Sequence, residues 1–141
     1  MEMSGLRILV ADDHEGIRDC IVRVLRMEYD VIAAVSDGDE LVTAAIDLEP
    51  DVIVSDVCMP GVSGIEAQKR LQQQGVEIPF VFVSASPDLM QNITRSRGVC
   101  IAKTDVLSVL NAEVRRVVRL QAARAQVRDL PTRYEAAGQL S

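Results

Sequence analysis

Five short apolar runs recur along the 141 residues, with helix-like segments between them, and this rhythm constrains the fold more than any other feature. The runs are Leu6–Ala11, Val31–Val35, Val52–Ser55, Phe80–Val83 and Val99–Ala102. Most are rich in β-branched residues and nearly continuous in hydrophobicity, as expected of strands covered on both faces of a parallel sheet. Between them the apolar positions take helical spacing: Ile17, Ile21, Val24 and Leu25 share one face, as do Leu41, Ala44, Ala45 and Leu48. Asp37-Gly38, Pro50, Pro60-Gly61, Gly75, Pro79, Pro87 and Gly98 punctuate the elements. The chain therefore reads as (βα)5, one doubly wound open α/β sheet with helices on both faces. The last helix is expected to begin near Thr104–Ser108 and to bury Leu107, Leu110, Val114 and Val117. Pro131 should stop it, leaving Thr132–Ser141 as a frayed tail.

In an open α/β sheet, ligands bind beyond the carboxyl ends of the strands. The first run delivers Asp12-Asp13 to that edge, the third Asp56, the fourth Ser84 and the fifth Lys103. Each has an ordinary alternative, as a helix cap or a solvated charge. Their joint occurrence is harder to dismiss. Three crowded carboxylates repel one another unless cations neutralise them, and Lys103 with a hard divalent ion would do so. The all-oxygen donor set suits Mg²⁺. Phosphoryl transfer needs an in-line nucleophile and positive charge around the equatorial oxygens, with little other help from the protein. Asp56 would serve as the nucleophile, with the metal, Ser84 and Lys103 binding the phosphoryl oxygens.

The same residues resemble the receiver domain of bacterial response regulators over about residues 5–122. Ala11-Asp12-Asp13 after the first strand, the segment Asp56–Gly64, Ser84-Ala85 and Lys103 carry the likeness. The opening ADDH and the sequence Lys103–Asp105 look most like receivers of helix-turn-helix transcription regulators. The resemblance implies a flavodoxin-like strand order 2-1-3-4-5, with a receiver at residues 1–122 and a C-terminal helix extension and tail at 123–141. It also implies that Asp56 is the phosphoacceptor, Ser84 the switch hydroxyl and Lys103 the partner of the phosphoryl oxygens. Mg²⁺ would be held by the carboxylates of Asp13 and Asp56, the backbone carbonyl of Cys58, and Asp12 through water. The donor would be a sensor histidine kinase or a phosphotransfer protein, and the fourth helix, fifth strand and fifth helix could form a homodimer. Two positions depart from the family: Cys100 stands where a Tyr or Phe usually acts as a rotameric switch, and Thr104 where a Pro usually follows the lysine.

Composition narrows the alternatives. The net charge of −6 disfavours direct binding to nucleic acid or anionic membrane. That charge is uneven: residues 1–103 carry 17 acidic and 9 basic side chains, residues 104–141 carry 4 and 6. With no Trp, two Tyr and two Phe, the chain offers little for base stacking. After residue 120 too few residues remain for a helix-turn-helix. Three cysteines without a CxxC pair suggest neither a disulfide framework nor a zinc site. Since Cys58 adjoins carboxylates and Cys100 lies in an apolar strand, neither reads as a redox sensor. The opening MEMSGLRILV shows no signal-peptide pattern and no run could cross a bilayer, so a cytoplasmic location is expected. His14 reads as a polar residue at a helix N-terminus rather than a catalytic base. Two other functions stay open: a degenerate receiver kept as a protein-interaction module, and a Mg²⁺-dependent phosphohydrolase. The second would want D-x-D directly after the first strand, where this chain has D-D-H-E.

Overall fold

A computed structural model describes residues 5–86, 88, 91 and 98–129 of the protein. Five strands form one parallel sheet: β1 (Arg7–Ala11), β2 (Asp30–Val35), β3 (Val52–Asp56), β4 (Phe80–Ser84) and β5 (Val99–Ala102). Their order across the sheet is 2-1-3-4-5. Four helices are described in full: α1 (Glu15–Arg26), α2 (Gly38–Leu48), α3 (Gly64–Gln73) and α4 (Val106–Asp129), the last preceded by a 3-10 turn at Lys103–Asp105. The expected helix between β4 and β5, the stop at Pro131 and the frayed tail lie outside the described residues.

Continuous apolar runs work here because alternate side chains serve two cores. Ile8, Val10, Val52, Val54, Val81 and Val83 pack with Ile21, Val24 and Leu25 of α1 and Leu110 and Val114 of α4. Leu9, Ala11, Ile53, Phe80 and Phe82 point the other way, onto Leu41 and Ala45 of α2 and Ala67 and Leu71 of α3. Burying a side chain of this size contributes roughly 1.5–3 kcal/mol, so the two layers dominate stability.

The helices start where local chemistry lets them. Asp37 caps α2 by accepting from the Glu40 amide at 2.8 Å, and Ser63 caps α3 by accepting from the Glu66 amide at 3.1 Å. His14 caps α1, its Nδ1 accepting from the Ile17 amide at 3.3 Å, which agrees with the structural role expected of it.

Two details of the expected helix faces are corrected. Leu107 is 78% exposed, and Val106 takes the buried position instead. The 3-10 turn sets the phase of α4, so its buried positions run 106, 110, 114 and 117–118. Leu48, expected on the inner face of α2, stays 37% exposed; it sits in the last turn, and Leu41 and Ala45 are the fully buried contacts with the sheet.

Candidate functional site

The strand register brings the chemical residues together. Ala11 pairs with Ser55, Asp56 with Val83, and Ser84 with Ala102, so β1, β3, β4 and β5 end level at one edge. Asp12 and Lys103 follow their strands directly, while Asp56 and Ser84 are the last residues of theirs.

The three carboxylates converge as the spacing suggested. Each of Asp12, Asp13 and Asp56 offers an oxygen within 4.8 Å of the others. Asp12 is wholly buried, Asp56 nearly so, and Asp13 exposed. Lys103 Nζ donates to Asp56 Oδ2 at 3.1 Å and lies 3.7 Å from Asp12 Oδ2. The other Asp56 oxygen accepts from the Cys58 amide at 3.3 Å. Asp12 Oδ1 accepts from the His14 amide at 2.8 Å, and Asp12 Oδ2 is buried without a hydrogen-bond partner among the described residues.

Electrostatics follow from this crowding. Burial, and then the charge of Asp12, push the Asp56 carboxyl above the ordinary carboxylate range, against the pull of Lys103 and the Cys58 amide. For Lys103, burial alone would lower the ammonium's pKa, but the bond to Asp56 and the charges of Asp56, Asp12 and Asp13 outweigh it. Asp56 thus rises chiefly because it is buried, and Lys103 because carboxylates surround it. A buried carboxylate oxygen left without a hydrogen bond is costly. The cluster can coordinate a divalent metal, whose charge and oxygen preference match these carboxylates.

Ser84 is buried at the same edge, but its hydroxyl accepts from the Ser86 amide at 3.0 Å and faces the Ser86 carbonyl at 3.4 Å. It is held by its own loop rather than by Asp56. Cys58 is exposed, with its amide turned to Asp56.

Two contributors escaped the sequence reading. Gly64 sits where an added Cβ would lie 2.2 Å from the Asp56 carbonyl and 2.7 Å from Ser55 Oγ, so only glycine lets α3 start this close to the site. The Gly64 amide donates to the Val57 carbonyl at 3.0 Å, and buried Met59 and Val62 plug the intervening loop into the core. Arg18 is the second: its Nη1 donates to the Asp12 carbonyl at 2.9 Å. The Asp56–Gly64 motif held the first signal; no motif announced the second.

Comparison with known proteins agrees with this geometry. The model of the response regulator receiver domain family matches residues 8–108. A protein-glutamate methylesterase/protein-glutamine glutaminase of Haloarcula marismortui is 38% identical over 92 residues, covering 64% of this chain and 25% of that protein. The alkaline phosphatase synthesis transcriptional regulatory protein PhoP of Bacillus subtilis is 34% identical over 120 residues, covering 80% of this chain and 48% of that protein. The chain thus spans from about a quarter to about half of these curated relatives. Among solved structures, the receiver domain of Francisella response regulator 1452 superposes with a TM-score of 0.70 at 27% identity, covering 83% of this chain and 99% of that one.

Proposed function

Because the chain belongs to the response regulator receiver domain family, we propose that Asp56 accepts a phosphoryl group from a histidine kinase or phosphotransfer protein. The domain is a signalling module, not a classical enzyme. The observation that carries the assignment of Asp56 is its place: a buried carboxylate at the end of β3, bonded to Lys103 and clustered with Asp12 and Asp13.

In this reading an Asp56 carboxylate oxygen attacks the phosphorus, the P–N bond of the donor phosphohistidine breaks, and the imidazole leaves with the electron pair. Lys103, already on Asp56 Oδ2, transfers its hydrogen bond to a phosphoryl oxygen. Ser84 releases Ser86 and donates its hydroxyl to another. Asp13 and Asp56, with the Cys58 carbonyl and Asp12 through water, would hold the cation, for which we propose Mg²⁺. When bound, it would balance the carboxylates and the charge of the phosphoryl oxygens. The buried, hydrogen-bond-free Asp12 Oδ2 supports that fit.

The receiver unit in this proposal is residues 1–122, with 123–141 an extension; α4 crosses that boundary as one continuous helix. A homodimer through β5 and α4 is part of the proposal, on the family resemblance alone. No described helix is long and apolar enough to cross a membrane, and a cytoplasmic location without direct nucleic-acid binding is part of the proposal. Incubation with a small phosphodonor and Mg²⁺, read by intact mass, should add one acid-labile phosphoryl group. Asp56→Asn should fold and lose it. An unchanged adduct in that variant ends the assignment.

A further inference from the structure

Asp12 is wholly buried, and all but one of its hydrogen-bonding atoms are engaged. Its amide donates to the Val35 carbonyl of β2 at 3.1 Å, and its Oδ1 accepts from the His14 amide at 2.8 Å. The Asp12 carbonyl accepts from Arg18 Nη1 at 2.9 Å. That leaves Oδ2, on the side where Asp13, Asp56 and Lys103 gather. The first two anchors come with strand pairing and helix capping. The third is a long side chain reaching back six residues from α1, half-buried where it does so.

Ordering an arginine costs up to about 2 kcal/mol of side-chain entropy. None of the salt bridges among the described residues involves Arg18, so no ion pair offsets that cost. A guanidinium beside a divalent-cation site is also electrostatically adverse to the cation. What the bond does at the site is geometric: it fixes the Asp12 carbonyl between Asp12 Oδ2 and the Asp13 backbone. We infer that Arg18 is a positioning residue, which locks the Asp12 carbonyl so that Asp12 Oδ2 and the adjoining Asp13 carboxylate keep their aim at the cation site. The inference rests on reading the acidic cluster as that site. Partners that orient metal-binding groups commonly matter at about 10–100-fold in affinity.

The sign of the effect separates geometry from charge. Removing a nearby positive charge, by Coulomb's law alone, tightens cation binding; losing the lock on Asp12 weakens it. Mn²⁺ binding, followed by the paramagnetic signal of the free ion, reads this without any phosphorylation. Arg18→Met and Arg18→Gln are good helix formers that cannot reach the Asp12 carbonyl. Each should bind Mn²⁺ about tenfold more weakly while melting close to the parent. Arg18→Lys, which keeps the charge and a donor, should recover part of the loss, and Arg23→Met on the exposed side of α1 should bind like the parent. Equal or tighter binding by either folded Met or Gln variant overturns the inference. If the parent takes up no Mn²⁺, the cation-site reading itself fails and this inference with it; if the parent binds and the variants match it, only the role of Arg18 falls.

Discussion

At the scale of single residues, the thiols show how burial separates chemically identical groups. Cys20 is exposed on α1, whereas Cys100 lies half-buried on β5, packed against the α2–α3 core. Burial pushes the Cys100 thiol from its ordinary 9.0 to about 11. Near neutral pH it should therefore hold roughly a hundredfold less thiolate, the reactive form, than an ordinary thiol. Peptide mapping after brief iodoacetamide treatment of the folded protein should find Cys20 alkylated long before Cys100; equal rates would mean that Cys100 is not packed as described. The aspartates, Ser84 and Lys103 were legible in sequence because a parallel sheet delivers strand ends to one edge, so counting along the chain locates them. Arg18 and Gly64 were not, because their roles depend on a reach back across a turn and on a 2.2 Å space with no room for a Cβ. Neither leaves a periodic trace.

At the scale of elements, the attachment of α4 to α1 rests on apolar packing and a small polar hinge. The hydroxyl of buried Tyr29, just past α1, donates to the Asn111 carbonyl at 2.7 Å, and Asn111 Nδ2 donates to the Val24 carbonyl at 2.9 Å. Tyr29→Phe keeps the ring and loses only the hydroxyl's bond to the Asn111 carbonyl, and should cost about 1 kcal/mol in denaturant unfolding. Burial is the largest cause raising the phenol above its ordinary 10.0. The folded phenol thus keeps its proton where the unfolded one loses it, so this contribution is intact below pH 10.0 and lost as pH rises through the folded value. A Phe variant as stable as the parent at neutral pH would show the hydrogen bond to be idle. The strands were readable to within a residue or so because each carries a short apolar run, which two-sided burial explains for the central β1, β3 and β4. The phase of α4 was not, since Val106 and Leu107 both fit an i, i+3/i+4 stripe and only the 3-10 turn decides between them.

At the scale of the molecule, the question is how a change at Asp56 reaches the far side of the sheet. Site and surface are linked through β4 and β5, where Phe82 pairs with Cys100 and Ser84 with Ala102. The family resemblance implies an aromatic ring at position 100 that follows the switch hydroxyl. Here a small thiol occupies the position instead, packed beside the α2–α3 core. Cysteine behaves as a small hydrophobe with no alternative bulky rotamer to swing. Activation should then disturb β5 less than the end of β4, where Ser84 must exchange its bond to Ser86 for one to the phosphoryl group. A ligand shifts a two-state equilibrium only by its differential interaction with the two states, and without the ring fewer contacts differ on β5. Amide exchange with and without beryllofluoride, which mimics the phosphoryl group, should change protection strongly at Ser84–Ser86 and weakly at Val99–Ala102. Equal changes in both segments would show that the signal crosses β5 without a ring. Cys100→Tyr tests the same point from the opposite side. It should enlarge the β5 response if the sheet edge has room for the ring, or destabilise the fold by the roughly 1–3 kcal/mol typical of overpacking if the core has closed around the thiol. A tyrosine variant with parent stability and a parent-sized response would count against a muted switch.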